Sequence, residues 1–260
     1  METLLEVKHL SIAYDQGKRE VVKDCSLSLK SQEILGIVGE SGSGKSTLVM
    51  SIIGLLKKEA MIKEGKILYC GRDITPSILD GECQGVRGGE IAIVMQNAMS
   101  SLDPYMKVGS QLIESLRIHT GCKGEKARVR AEEMLDMVGI RDAKKCMNQY
   151  PFECSGGMQQ RICIAIALAG EPKILIADEP TTALDATVQI QILNLLRRLS
   201  RDLKIAVLLV SHDLGVVKML SNRIMIMHEG RMIEEGSTEE ILRSGKEEYT
   251  KALILSLIHI

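Results

Sequence analysis

Tryptophan is absent from this 260-residue chain and phenylalanine occurs once, so the interior has to be packed with aliphatic side chains and the 14 methionines. A basic excess is also missing: the formal net charge is −1, which disfavours a nucleic-acid partner. No apolar run approaches the roughly 18 residues of a membrane span; Ile162–Ala169 and Ile205–Val210 have the length of core strands or buried helix turns. The first residues, Met1 to Tyr14, alternate apolar and charged side chains, unlike a signal peptide, so the expected compartment is the cytosol. No C-x-x-C pair links Cys25, Cys70, Cys83, Cys122, Cys146, Cys154 and Cys163. That spacing argues against structural zinc or an iron–sulfur cluster and for reduced core thiols. There is no internal repeat and no low-complexity linker. With 45% hydrophobic and 26% charged residues, the chain can bury a sizeable core as one domain with a smaller lobe.

What is present is organised around Gly39–Thr47, reading G-E-S-G-S-G-K-S-T. It matches the phosphate-cradling pattern G-x-x-x-x-G-K-[ST] and lies between an apolar strand, Ile34 to Val38, and a helix-compatible segment, Ser46 to Leu56. Gly39, Gly42 and Gly44, with Ser41 and Ser43 between them, let successive N–H groups turn toward an anion, and the helix adds its positive dipole end. Lys45 is expected to reach the β- and γ-phosphates, and Ser46, followed by Thr47, to hold Mg²⁺ through its hydroxyl.

Period-two alternation in Leu4–Tyr14 and Cys25–Lys30, around a polar turn Asp15–Glu20, predicts antiparallel strands. Glu64–Cys70 reads the same way, giving a small antiparallel sheet beside the phosphate loop. Ile91–Met95, Lys173–Ala177 and Ile205–Val210 are continuous apolar runs, as in a buried parallel sheet. Between about 97 and 149 the pattern turns helical, with helices expected over Val108–Arg117 and Glu125–Val138. Val188–Leu203 carries an apolar stripe of Val188, Ile192, Leu195, Leu196, Leu199 and Leu203, read as packing. A hairpin around Glu229-Gly230 and short helices close the chain. The fold class is α/β: a P-loop NTPase core, a small antiparallel β subdomain and an inserted helical subdomain. The boundaries are 1–96 and 165–260 for the core and about 97–164 for the insertion.

In open α/β sheets ligands sit beyond the carboxyl ends of the strands, so the polar residues just past each apolar run are the candidates. Asp178 is the expected acidic partner for Mg²⁺, with Gln96 completing the metal shell. Glu179 is placed to orient or deprotonate an attacking water, and His212 to hydrogen-bond the γ-phosphate and that water. Ser155 is a good N-cap for the helix after S-G-G-M-Q-Q-R, and Gly156 and Gly157 expose N–H groups there, which makes a second anion site. One nucleotide does not need two such sites in one chain, so this one is expected to cap a phosphate held by another chain.

The ordered set of G-E-S-G-S-G-K-S, Gln96, S-G-G-M-Q-Q-R, I-L-I-A-D-E-P, T-A-L-D and S-H-D resembles the ATPase subunit of ABC transporters over nearly the whole chain. The resemblance implies a head-to-tail dimer, each ATP lying between the phosphate loop of one subunit and the S-G-G of the other. It places Tyr14 and Val21 at adenine and Asp185 against the partner's phosphate loop. It also implies a permease, a second ATPase subunit, indirectly an extracytoplasmic binding protein, and a peripheral position on the cytoplasmic face of the cell membrane. S-L-D-P at Ser101–Pro104, S-G-G-M and the tail E-E-Y-T-K-A-L resemble the peptide and nickel importer branch. An end at Ile260, without the cysteine-bearing extension of many peptide-importer members, suits the nickel or metallophore type. Cys154 stands where the family usually has Leu. A soluble ABC ATPase of repair or translation is the alternative, although such proteins usually carry two cassettes or a coiled-coil insertion. A P-loop kinase would have no use for S-G-G or His212, and a non-hydrolysing sensor would lack Glu179.

Overall fold

A computed structural model describes residues 2–81 and 86–256, so the reduced-thiol expectation for Cys83 lies outside the described residues. The chain divides into two compact units, Met1–Gln84 with Leu199–Ile260, and Gly85–Arg198. The first unit opens with strands β1 (Thr3–Tyr14), β2 (Arg19–Lys30) and β3 (Ile34–Val38), then helix α1 (Lys45–Ile52), β4 (Met61–Tyr69), β5 (Arg72–Asp73) and α2 (Thr75–Leu79). The second unit holds β6 (Ile91–Val94), α3 (Ala98–Ser101), α4 (Val108–Thr120), α5 (Gly124–Met137), α6 (Ala143–Cys146), α7 (Gly156–Leu168), β7 (Ile174–Asp178) and most of α8 (Ala186–Leu203). The chain returns to the first unit as β8 (Ala206–Ser211), α9 (Leu214–Leu220), β9 (Arg223–His228), β10 (Arg231–Ser237), α10 (Thr238–Ser244) and α11 (Glu248–Ser256).

In the first unit β1 pairs antiparallel with β2 and β4, forming the expected sheet. β2 begins at Arg19, earlier than the alternation from Cys25 suggests. Bulges explain the difference: the β1–β2 register shifts between Val7 and Leu10 and again before Ile12, with His9 and Asp24 both at φ 50°, and each shift resets the inward phase of the side chains. The second layer is parallel. β3 lies between β8 and β9, and β10 closes the edge antiparallel to β9. Every residue of β3 and β8 is buried, which accounts for the unbroken apolar runs. Each buried Leu or Ile here stabilises by roughly 1.5–3 kcal/mol.

Glu33, just ahead of β3, is gripped at both oxygens by the Arg223 guanidinium at 2.8 and 3.2 Å, which fixes the level at which β3 enters the sheet. Arg223 also donates to the Glu235 carboxylate and the Ser28 carbonyl. Burial would push the guanidinium's pKa down, but the Glu33 and Glu235 carboxylates raise it above its ordinary value.

In the second unit β6 and β7 pair in parallel over Ile91–Val94 and Ile174–Ala177. The predicted helices appear as α4 and α5, with Ala127, Ala131, Met134, Leu135 and Val138 buried as their spacing requires. Along α8, Ile192, Leu195, Leu196 and Leu199 are buried, whereas Leu203 is 41% exposed in the last turn. Among the described residues no helix is long and apolar enough to cross a membrane.

Candidate functional site

β3 delivers the phosphate loop. Val38 pairs with Ser211 of β8 and Ile226 of β9, so the chain leaves the sheet at Gly39 at the same level as His212 leaves it after β8. Two glycines decide the loop's path. A Cβ on Gly39 would lie 2.0 Å from the Met227 carbonyl oxygen. Gly44 stands at φ +103°, where a Cβ would also meet the Val21 carbonyl oxygen at 2.6 Å. Only glycine fits either position. Gly230, in the turn between β9 and β10, donates its N–H to the Ser43 carbonyl at 3.0 Å and so braces the loop from behind.

Gly44 is the N-cap of α1 and brings no side chain to the helix start, leaving the backbone N–H groups of the first turn and the helix dipole as its electropositive end. Lys45 is buried, and its ammonium donates to the carbonyls of Gly39 at 2.7 Å and Glu40 at 2.8 Å, and to Ser43 Oγ at 3.4 Å. One fixed cation and a helix start without a side-chain cap make an anion cradle. Ser41, Gly42 and Ser46 are exposed on its outer side, and Thr47 is half-buried. Tyr14 ends β1 and pairs with Arg19, whose guanidinium lies 5.5 Å from the ring centroid. Val21 is set against the loop through its carbonyl, at Gly44.

In the second unit Val94 pairs with Ala177, so Gln96 and Glu179 lie two residues beyond a matched pair of strand ends. Gln96 Nε2 donates to Glu179 Oε2 at 2.8 Å, and the Thr182 hydroxyl donates to the same oxygen at 2.9 Å. Asp178, the last residue of β7, is buried. Glu179 adopts φ 47°, the left-handed region that side-chain-bearing residues avoid. The result is a half-buried carboxylate clamped by two donors beside a buried one. Sequence reasoning misses Thr182 as a partner of Glu179, yet the i, i+3 spacing across Pro180 is a visible signal of a turn that could join them.

Ser155 caps α7, its Oγ accepting from Met158 N at 3.3 Å. A Cβ on Gly157 would come within 2.7 Å of Val188 Cγ1, whereas one on Gly156 would have ordinary contact with Leu184 at 3.6 Å. Asp185 caps α8 by accepting from Val188 N at 2.9 Å, so Val188 is a neighbour of both Asp185 and Gly157. A cavity of about 470 Å³ lies here, lined by Gln96, Asn97, Gly156, Gln159, Thr182 and Leu184, among others. Cys154 is buried immediately ahead of the cap, and burial pushes its thiol pKa up; the neighbouring Cys146 is pushed up to about 12, mainly by burial. All six described cysteines are free thiols.

Each unit, taken by itself, carries hard oxygen donors of the kind Mg²⁺ takes alongside substrate phosphates: the Ser46 hydroxyl in the first, the Asp178 carboxylate and the Gln96 amide in the second. Among the described residues no group of three or more His, Cys, Asp and Glu could hold a metal by itself. Donors of this chemistry, too few in either unit to hold a metal alone, fit an ion that arrives with a nucleotide.

Comparison with known proteins adds four findings. The family model described as ABC transporter matches residues 22–182. The oligopeptide transport ATP-binding protein OppD of Bacillus subtilis is 44% identical over 98% of this chain and 72% of its own length. The dipeptide transport ATP-binding protein DppD of Lactococcus lactis is 42% identical over 98% and 74%. Among solved structures, a dimeric bacterial ABC transporter cassette aligns with a TM-score of 0.78 at 30% identity, over 90% of this chain and 99% of that one.

Proposed function

This chain belongs to the ABC transporter family, and from that premise we propose that it is the ATP-hydrolysing subunit of a peptide importer. It works as a head-to-tail dimer, with an identical or a paralogous chain, on the cytoplasmic side of a membrane permease. An extracytoplasmic binding protein delivers the solute. The whole chain acts as one ATPase domain, its helical segment at about 97–164 passing motion to the permease.

The observation that carries the reading is the Glu179 carboxylate, held by Gln96 and Thr182 next to Asp178 in a chain that also has a complete phosphate loop. The loop amides and Lys45 bind the β- and γ-phosphates and neutralise charge as it develops on the transferred phosphoryl group. Glu179 orients the attacking water and takes its proton, and His212 hydrogen-bonds the γ-phosphate. Ser46, Asp178 and Gln96 would hold Mg²⁺, which supplies further charge neutralisation on the phosphates. Tyr14 and Val21 face adenine. Ser155, Gly156 and Gly157 cap the γ-phosphate on the partner's loop, and Asp185 meets that loop. ATP then joins two subunits, and its hydrolysis releases them.

Peptide is preferred over nickel or a metal chelate as cargo because relatives matching nearly the full chain are named for oligopeptide and dipeptide transport. The transport setting is preferred over a soluble ABC ATPase on the same ground. Glu179→Gln tests the assignment: ATP affinity should stay near wild type while hydrolysis falls by at least ~10². Equal turnover in mutant and wild type would remove Glu179 from the role of base. Finding genes for two permeases and a peptide-binding protein beside this one would support the cargo reading, and a metal-binding protein there would redirect it to nickel.

A further inference from the structure

We propose that Tyr249 is a positioning residue for the phosphate loop, its phenolic oxygen holding the Glu40 amide and thereby the backbone that presents the loop to a nucleotide. The proposal rests on the reading of Gly39–Thr47 as the ATP site.

Glu40 is the first loop residue beyond the pinned Gly39, and its side chain is exposed. Its backbone is nonetheless held on both sides. The carbonyl accepts from Lys45 Nζ at 2.8 Å and from Ser43 N at 3.1 Å, while the N–H donates to Tyr249 Oη at 2.9 Å. A side chain 209 residues away thus completes the backbone hydrogen bonding of one residue in the cradle.

Tyr249 is itself fixed. Its ring stacks on His228 with centroids 3.9 Å apart and planes inclined by 28°. His228 comes directly after Met227, whose carbonyl oxygen abuts Gly39, so the end of β9 meets the loop directly at Gly39 and through the stacked tyrosine at Glu40. The start of α11 is tied down as well: the N–H groups of Lys246 and Glu247 donate to the two Glu234 oxygens at 2.8 and 3.3 Å, and Thr250 is fully buried. The tail of the chain therefore contributes an oriented acceptor to the phosphate site.

A single net hydrogen bond on a loop amide corresponds to about a three- to tenfold change in an equilibrium constant. Tyr249→Phe removes the acceptor and keeps the ring. In the full chain, Kd and KM for ATP are expected to rise about three- to tenfold, with kcat within about twofold and the Tm without nucleotide within about 2 °C of wild type. His228→Phe keeps both the stacking and the tyrosine hydroxyl, and should bind ATP within about twofold of wild type. A purely structural tyrosine would lower Tm and leave Kd alone. Unchanged Kd in Tyr249→Phe, a fall in kcat with constant KM, or a variant that fails to fold would each overturn the proposal. Wild-type protein that binds no ATP would instead sink the ATPase reading itself, so the two failures are distinguishable.

Discussion

The glycine-bearing helix starts at α1 and α7 are built in different ways. At α1 the entering loop is pinned from within: Gly39 and Gly44 are obligatory because the chain's own backbone, at Met227 and Val21, occupies the space a Cβ would need. At α7 the cap is a serine side chain with ordinary extended geometry, and only Gly157 is crowded, by Val188; Gly156 has room. The first start is shaped by its own unit. The second has a glycine the unit does not need, the pattern expected where a backbone must stay open to something approaching from outside.

The sharpest way to break this contrast is Gly39→Ala. The clash is with a backbone oxygen and no rotamer change can relieve it, so a loss of about 3 kcal/mol of stability is expected with ATP affinity down by more than ~10². Urea unfolding and calorimetry measure the two, and wild-type values in both would show that the loop is not pinned. Ser155→Arg tests the other start in a Glu179→Gln background. ATP-driven dimers should vanish in sedimentation while monomer binding persists, and retained dimers would refute the capping role. Comparing alanine at 156 and 157 sharpens the picture. Gly157→Ala should destabilise by about 1–3 kcal/mol through Val188. Gly156→Ala should stay within about 0.5 kcal/mol of wild type yet dimerise poorly with ATP. If both alanines behave alike, the openness at Gly156 has no meaning. The smallest effect belongs to Ser155→Ala, about 1 kcal/mol from the lost cap, read from the urea midpoint.

Much of the molecule is legible in the sequence because it is local. Ile34–Val38 is both the predicted and the observed extent of β3, since a fully buried parallel strand reads as an unbroken apolar run and a glycine ends it. Gln96, Asp178 and Glu179 are legible for the same reason: each is a polar residue at the carboxyl end of such a run. The early start of β2 is hidden because bulges at His9 and Asp24 break the alternation that period-two reading depends on. The supports of the loop are hidden for another reason. Met227, Gly230 and Tyr249 act through carbonyls, amides and one hydroxyl across about 200 positions, and nothing in local spacing encodes such contacts.

The left-handed backbone at Glu179 has a consequence for how this protein would respond to selection. A side-chain-bearing residue at φ 47° costs about 1 kcal/mol or more, which glycine would not incur, and the bonds from Gln96 and Thr182 hold it there. A library screened for heat or protease resistance alone should therefore enrich glycine at position 179, and the proposed role of Glu179 as base requires every such winner to lose hydrolysis. On the proposed role of Glu179 as base, durability and turnover pull in opposite directions at this one residue.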